Sequence, residues 1–98
     1  MGQIINISHQ RDKNQTLRNI LEDVEEYWKT FKKPVEFQHL SRRYGKRCRA
    51  LDMTFRRCLS ILEEKGLLYV ELLPTLRRRV WPKAVALSDA FREYTDKP

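Results

Sequence analysis

The sequence predicts a single α+β domain, mostly helical, closed by a two- or three-stranded antiparallel hairpin sheet. Amphipathic helical stretches follow one another through the first two thirds of the chain. An aliphatic run, a Pro-containing turn and a basic returning run come next. The length of 98 residues suits one core and is too short for two. With 41% hydrophobic residues and only three Gly and four Pro, the chain has the material to order itself.

From Thr16 to Phe31 the apolar residues Leu17, Ile20, Leu21, Val24, Tyr27, Trp28 and Phe31 recur at spacings of three and four. Asn14 or Thr16 is the expected N-cap. Glu22, Asp23, Glu25 and Glu26 fall on the other faces, so this helix buries one stripe and turns acid to solvent. Residues 1–15 read as a flexible arm, in which Ile4, Ile5 and Ile7 suit a short strand or a partner contact. Residues 16–94 form the domain and 95–98 a tail.

Pro34 ends the first helix, and Val35–Phe37 is a short strand candidate. Phe37, Leu40 and Tyr44 mark one face of a two-turn helix, closed by Gly45 at the position where a positive φ is wanted. After a short connection, a second helix is expected from Arg49 to Lys65, with Leu51, Phe55, Cys58, Leu59 and Leu62 on its buried side and Gly66 as its stop. Leu67–Leu73 reads as a strand, Pro74-Thr75 as a turn and Leu76–Trp81 as the returning strand. Ser88 is the expected N-cap of a last short helix that points Leu87, Phe91 and Tyr94 inward.

The formal net charge is +7, which favours a polyanionic partner. The excess is local. Residues 32–49 hold seven basic side chains against one acidic, and residues 66–83 hold four against one, whereas the first helix is net acidic. No apolar run approaches 18 residues and no secretory leader follows Met1, so an intracellular protein without membrane attachment is expected. Met1-Gly2 lacks the later Ser or Thr of a myristoylation site, having Asn6 instead.

No enzyme is expected. The sequence has no Gly-rich phosphate loop, no His pair at metal spacing and no nucleophile–base set, and no cofactor, metal or small-molecule substrate is evident. Cys48 and Cys58, ten apart, read as reduced structural thiols. Trp28 and Trp81 read as core or dimer contacts, and His9 and His39 as surface residues.

Two short helices joined by a Gly-containing turn make a helix-turn-helix. Here it is carried by the segments Phe37–Gly45 and Arg49–Lys65, and the run LEEKGLLYVELLPTLRRRVW leads on into a hairpin, with VALSDAF after it. This order resembles the winged helix-turn-helix family, among MarR-like regulators and small archaeal and viral DNA-binding proteins. The resemblance implies a sequence-specific double-stranded-DNA-binding transcriptional regulator. Its second helix would read the major groove, and its wing, residues 67–81, would touch backbone or minor groove.

A projection of Arg49–Lys65 at about 100° per residue supports that assignment. The face opposite the core collects Arg49, Met53, Arg56, Arg57 and Ser60. Arg suits guanine O6 and N7, Met a thymine methyl, and Ser a base or phosphate. Arg42, Arg43, Lys46 and Arg47 are expected along the flanking backbone, and Arg77, Arg78 and Arg79 on the hairpin, with Arg78 on the opposite face from the other two. Some five neutralised phosphates per subunit would give a log–log salt slope of about −4 to −5. Trp28, Phe31, Trp81, Phe91 and Tyr94 exceed what one small core needs and suit a homodimer interface. Two other readings stay open: a protein-interaction winged helix in a larger replication, transcription or membrane-remodelling assembly, and a binder of structured or single-stranded RNA.

Overall fold

The computed structural model describes residues 7–88 and Arg92. The order of elements is α1 (Ile7–Phe31), β1 (Val35–Glu36), α2 (Phe37–Ala50), α3 (Phe55–Glu64), β2 (Leu68–Leu72), β3 (Arg78–Pro82) and α4 (Lys83–Ala86). The three strands form one antiparallel sheet in the order β1-β3-β2. Architecture is thus α+β and mostly helical, as the sequence predicts. Among the described residues no helix is long and apolar enough to cross a membrane.

One core fills the space between the helices and one face of the sheet. Ile20 and Val24 of α1, Leu40, Tyr44 and Cys48 of α2, Phe55, Cys58, Leu59 and Leu62 of α3, and Val35, Leu68 and Val80 of the strands bury together. The apolar stripes found by helical spacing meet here except at their ends, where Phe31 is exposed and Leu51 lies in a turn, and each buried aliphatic stabilises the fold by about 1.5–3 kcal/mol.

The helix α1 already includes Ile7, well ahead of the N-cap expected near Asn14 or Thr16. Residues 8–15 carry no apolar period, but they contain no Gly or Pro either. Gln10 donates to Asn14 Oδ1 and Gln15 to Asn19 Oδ1, the four-residue spacing that steadies an exposed helix. Thr16, instead of capping, is fully buried in the helix and donates from Oγ1 to the Asp12 carbonyl at 2.8 Å. At the other end Lys32, with φ 54°, donates its N–H to Trp28 O and stops the helix ahead of Pro34.

Gly45 corrects the sequence reading most. It lies inside α2, which runs on to Ala50, and the break comes at Leu51–Thr54. There Asp52, at φ 59°, takes the left-handed conformation expected of Gly45. Met53 N–H bonds to Cys48 O at 2.8 Å and Asp52 N–H to Arg49 O at 3.0 Å, a Schellman closure. Thr54 then caps α3, its hydroxyl accepting from Arg57 N–H at 3.0 Å. The expected helix Arg49–Lys65 is therefore two pieces: Arg49 ends α2, Leu51 and Met53 lie in the turn, and α3 is only ten residues long.

Gly66 ends α3 as expected, with φ 72° and the same pair of closing bonds, Leu67 N–H to Leu62 O and Gly66 N–H to Glu63 O. The hairpin turns through Pro74, Thr75 and Leu76: Leu76 N–H bonds to Leu73 O, and Leu73 N–H to Arg77 O. Leu76 sits at φ 69°, so a leucine occupies the left-handed position of a three-residue loop. The returning strand starts at Arg78, leaving Arg77 at the end of the turn, and Phe37 belongs to α2, not to β1.

Beyond β3, α4 is a single turn at Lys83–Ala86, earlier than the helix expected from Ser88. Ser88 closes it instead, donating from its hydroxyl to Val85 O. Leu87, expected to point inward, is 76% exposed, because α4 ends before it and turns it out. Phe91 and Tyr94 lie outside the described residues.

Candidate nucleic-acid interface

Arginine in this chain falls into groups with different surroundings. On α2 the side of Arg43 and Arg47 packs on α1. Arg43 Nε stands 3.3 Å from Asp23 Oδ2, and Arg47 Nε donates to Thr16 Oγ1 at 3.1 Å. Tyr44, on the same side, donates its hydroxyl to Asp23 Oδ2 and to Asn19 O. Burial, reinforced by that bond to Asp23, pushes the Tyr44 phenol up to about 12. Arg43 and Arg47, expected along a DNA backbone, are exposed and also reach the acidic first helix; helical spacing alone does not reveal which neighbour an exposed arginine meets.

Arg79 is likewise engaged. Its Nη2 lies 2.8 Å and its Nε 2.9 Å from Glu71 Oε1, and its guanidinium stacks 5.8 Å from the Trp81 ring. Its side chain is only 20% exposed. Arg78 points from the other face of β3, its guanidinium 5.5 Å from the centre of the Phe37 ring. Phe37 in turn meets Phe55 edge to face at 5.2 Å. This stack joins three places distant in the sequence: the first turn of α2, the first turn of α3 and the base of the hairpin turn.

A groove of about 630 Å³ opens at that junction, lined by Gln38, Ser41 and Arg42 of α2 and by Thr75, Leu76, Arg77 and Arg78 of the hairpin, with Glu36 and Phe37 at its edge. Arg77 is 72% exposed and contacts Glu36 at 3.7 Å across the rim. Arg49 continues the Gln38–Arg42 side of α2, its guanidinium lying near Gly45. Lys46 is exposed on α2 away from the core.

On α3, Arg56 and Arg57 are exposed and Ser60 is half-buried. Arg57 lies 3.8 Å from Glu64, both well exposed, a pair worth little in water and readily exchanged. Glu63, on the side of β2, accepts from Val70 N–H at 3.0 Å and so closes α3 onto the sheet. Met53, expected to be free for a thymine methyl, packs against the core from the turn, its sulfur 4.0 Å from Cys58 Sγ.

No family model, no curated protein and no solved structure matches this chain.

The structure therefore gathers Arg42, Arg77 and Arg78 in one groove, and carries Arg56, Arg57 and Ser60 on the helix whose first turn abuts it. Arg49 and Lys46 stay exposed on α2. Arg43 and Arg47 are exposed as well but contact α1, Arg79 is held by Glu71, and Met53 packs on the core. Sequence reasoning missed Gln38 and Ser41. They share a side of α2 with Arg42, Gly45 and Arg49, a stripe visible only when the helix is drawn unbroken through Gly45.

The aromatic residues divide as well. Trp81 is fully buried, 5.4 Å from the half-buried Trp28, so of the two expected roles it takes the core and is withdrawn from any dimer contact. Phe31 is 57% exposed beside Tyr27. His39 is exposed and lies 5.9 Å from the Tyr27 ring; the side chain of His9 lies outside the described residues. Among the described residues no cluster of three His, Cys, Asp or Glu could hold a metal.

Proposed function

We propose that this chain is a double-stranded-DNA-binding regulator of the winged helix-turn-helix kind, with α2 and α3 as the helix-turn-helix and β2–β3 as the wing. One observation carries the reading: the first turns of α2 and α3 meet the hairpin turn through the Arg78–Phe37–Phe55 stack. Arg42 of the helix-turn-helix and Arg77 and Arg78 of the wing thereby line one groove, while the acid of α1 is partly neutralised by Arg43. A recognition helix reads base edges with its N-terminal residues, which on α3 are Arg56, Arg57 and, one turn on, Ser60. The contact set we propose on these grounds is Arg42, Lys46, Arg49, Arg56, Arg57, Ser60, Arg77 and Arg78.

Arg56 and Arg57 suit base contact, because a guanidinium donates two parallel bonds to a guanine edge. The groove arginines suit phosphates of the flanking strand, with Ser41 and Gln38 as neutral donors beside them. A homodimer would present two α3 helices one DNA turn apart, with Phe31 as its exposed apolar contact.

The test is a duplex-DNA shift assay on sequences selected from a random pool. The double variant Arg56→Ala/Arg57→Ala should lose about tenfold or more in affinity and lose preference among sequences. Unchanged binding would remove the reading. Size-exclusion chromatography at micromolar concentration checks the dimer; strictly monomeric elution opposes it.

The protein-interaction reading retains one favourable observation. Leu72 and Leu76, at and beside the hairpin turn, are 59% and 77% exposed, apolar surface that a phosphate backbone does not use. Leu72→Ser, outside the groove, separates the two, leaving duplex binding intact under the DNA reading.

A further inference from the structure

We propose that Cys48 and Cys58 are an oxidisable dithiol, which a hydroperoxide converts to an intramolecular disulfide tying α2 to α3. The two Sγ atoms stand 3.4 Å apart, in direct contact, and both residues are completely buried and free. Bonded sulfurs lie about 2.05 Å apart, so closure needs an approach of little more than an ångström. The helices holding them are joined only by the turn Leu51–Thr54, and Met53 Sδ at 4.0 Å from Cys58 covers the pair from that turn. Nothing bulkier than a sulfur contact separates the two thiols.

The reaction balances with one hydroperoxide. Once the Leu51–Thr54 turn opens and exposes a sulfur, that thiol can ionise, and its thiolate attacks the peroxide O–O bond, which breaks to leave a sulfenic acid and an alcohol, or water when the oxidant is hydrogen peroxide. The neighbouring thiolate attacks the sulfenic sulfur, forms the S–S bond and expels hydroxide, which leaves as water. Two thiols lose two electrons and two protons, and the peroxide bond takes them up. Burial of both sulfurs makes opening of the Leu51–Thr54 turn the slow step, so the pair answers sustained oxidation and not a brief pulse. The tie fixes α2 against α3, the two helices proposed to approach DNA, yet the chemistry is independent of that proposal.

The experiment uses the full chain, reduced, desalted and exposed to hydrogen peroxide while folded, then read by intact mass and by thiol titration in denaturant. Expected are a loss of about 2 Da, disappearance of both titratable thiols, return of both on reduction, and a Tm raised by on the order of 10 °C. Cys58→Ser should show neither the mass loss nor the Tm rise. The proposal is overturned if the native chain keeps both thiols, gains oxygen mass without losing about 2 Da, or crosslinks only between molecules. Mass and thiol count need no DNA, so this result stands apart from the shift assay.

Discussion

Trp81 Nε1 donates to Glu71 Oε1 at 2.9 Å, the same oxygen that receives the Arg79 guanidinium. Glu71 lies opposite Arg79 in the β2–β3 register, two pairs along from Trp81. A single carboxylate oxygen therefore satisfies both the indole of a fully buried tryptophan and the charge of a largely covered arginine. Glu71→Ala should destabilise the chain by about 1–3 kcal/mol, since it takes an acceptor from the buried Trp81 N–H and a charge partner from Arg79. Glu71→Gln, which keeps an acceptor, should cost less. Urea denaturation of the two variants checks the order.

The two glycines of the helical region should respond oppositely. A Cβ at Gly45 would meet nothing closer than Arg49 Nη1 at 3.9 Å, and the position is helical. Gly45→Ala should stabilise by about 0.5–1 kcal/mol. Gly66, at φ 72°, has open space but the wrong backbone for a side chain. Gly66→Ala should destabilise by about 1 kcal/mol. Thermal denaturation reads both; destabilisation by Gly45→Ala would restore the turn first expected there.

Leu76 carries the same backbone cost in the hairpin turn, at φ 69° with its side chain in water. Leu76→Asn should raise stability by about 0.5–1 kcal/mol, because Asn tolerates the left-handed conformation and no packing is lost. A fall in Tm would mean that the leucine is held by contacts.

Stability should decline in alkali. The unfolded chain releases the Tyr44 proton near 10 and the Cys58 proton near 9, whereas in the folded chain both are pushed up to about 12. Burial is the first cause for each, followed by the bond to Asp23 for Tyr44 and the neighbouring Cys48 for Cys58. The unfolded state thus binds fewer protons between those values, and the stability these two groups contribute, constant below pH 9, is lost from about 9 to 12. Tyr44→Phe should cost about 1 kcal/mol at neutral pH and flatten the decline above pH 10. Urea midpoints measured against pH check both.

Under the DNA reading the arginines should separate by surroundings. Removing Arg42, Arg77 or Arg78 should each lower the log–log salt slope of duplex binding by about 1. Arg43→Ala and Arg79→Ala should leave that slope unchanged, because Asp23 and Glu71 engage those side chains, and Arg79→Ala, which removes the largely covered partner, should also lower Tm. Equal slopes for all five would place every arginine on the phosphate surface.

Much of the fold was legible in the sequence because its signals are local. Helical spacing in Leu17–Phe31, the aliphatic run at Leu67–Leu73 and the stop at Gly66 all report on a few consecutive residues. The helix boundary near residue 50 was not, because Gly45 and Asp52 compete for the break and the choice rests on how Cys48 and Met53 pack. The site was legible as a set of basic residues but not as a surface.

What the sequence determined by itself was therefore the α+β class, the buried stripes and the concentration of arginine in two stretches. Only the tertiary structure decided which arginines remain at the junction of α2, α3 and the hairpin, and which are taken by Asp23, Thr16 and Glu71. The reason is physical: periodicity fixes the direction of a side chain on its own element, but its charge is spent on whichever partner another element brings within about 3 Å, a separation set by packing across the whole core.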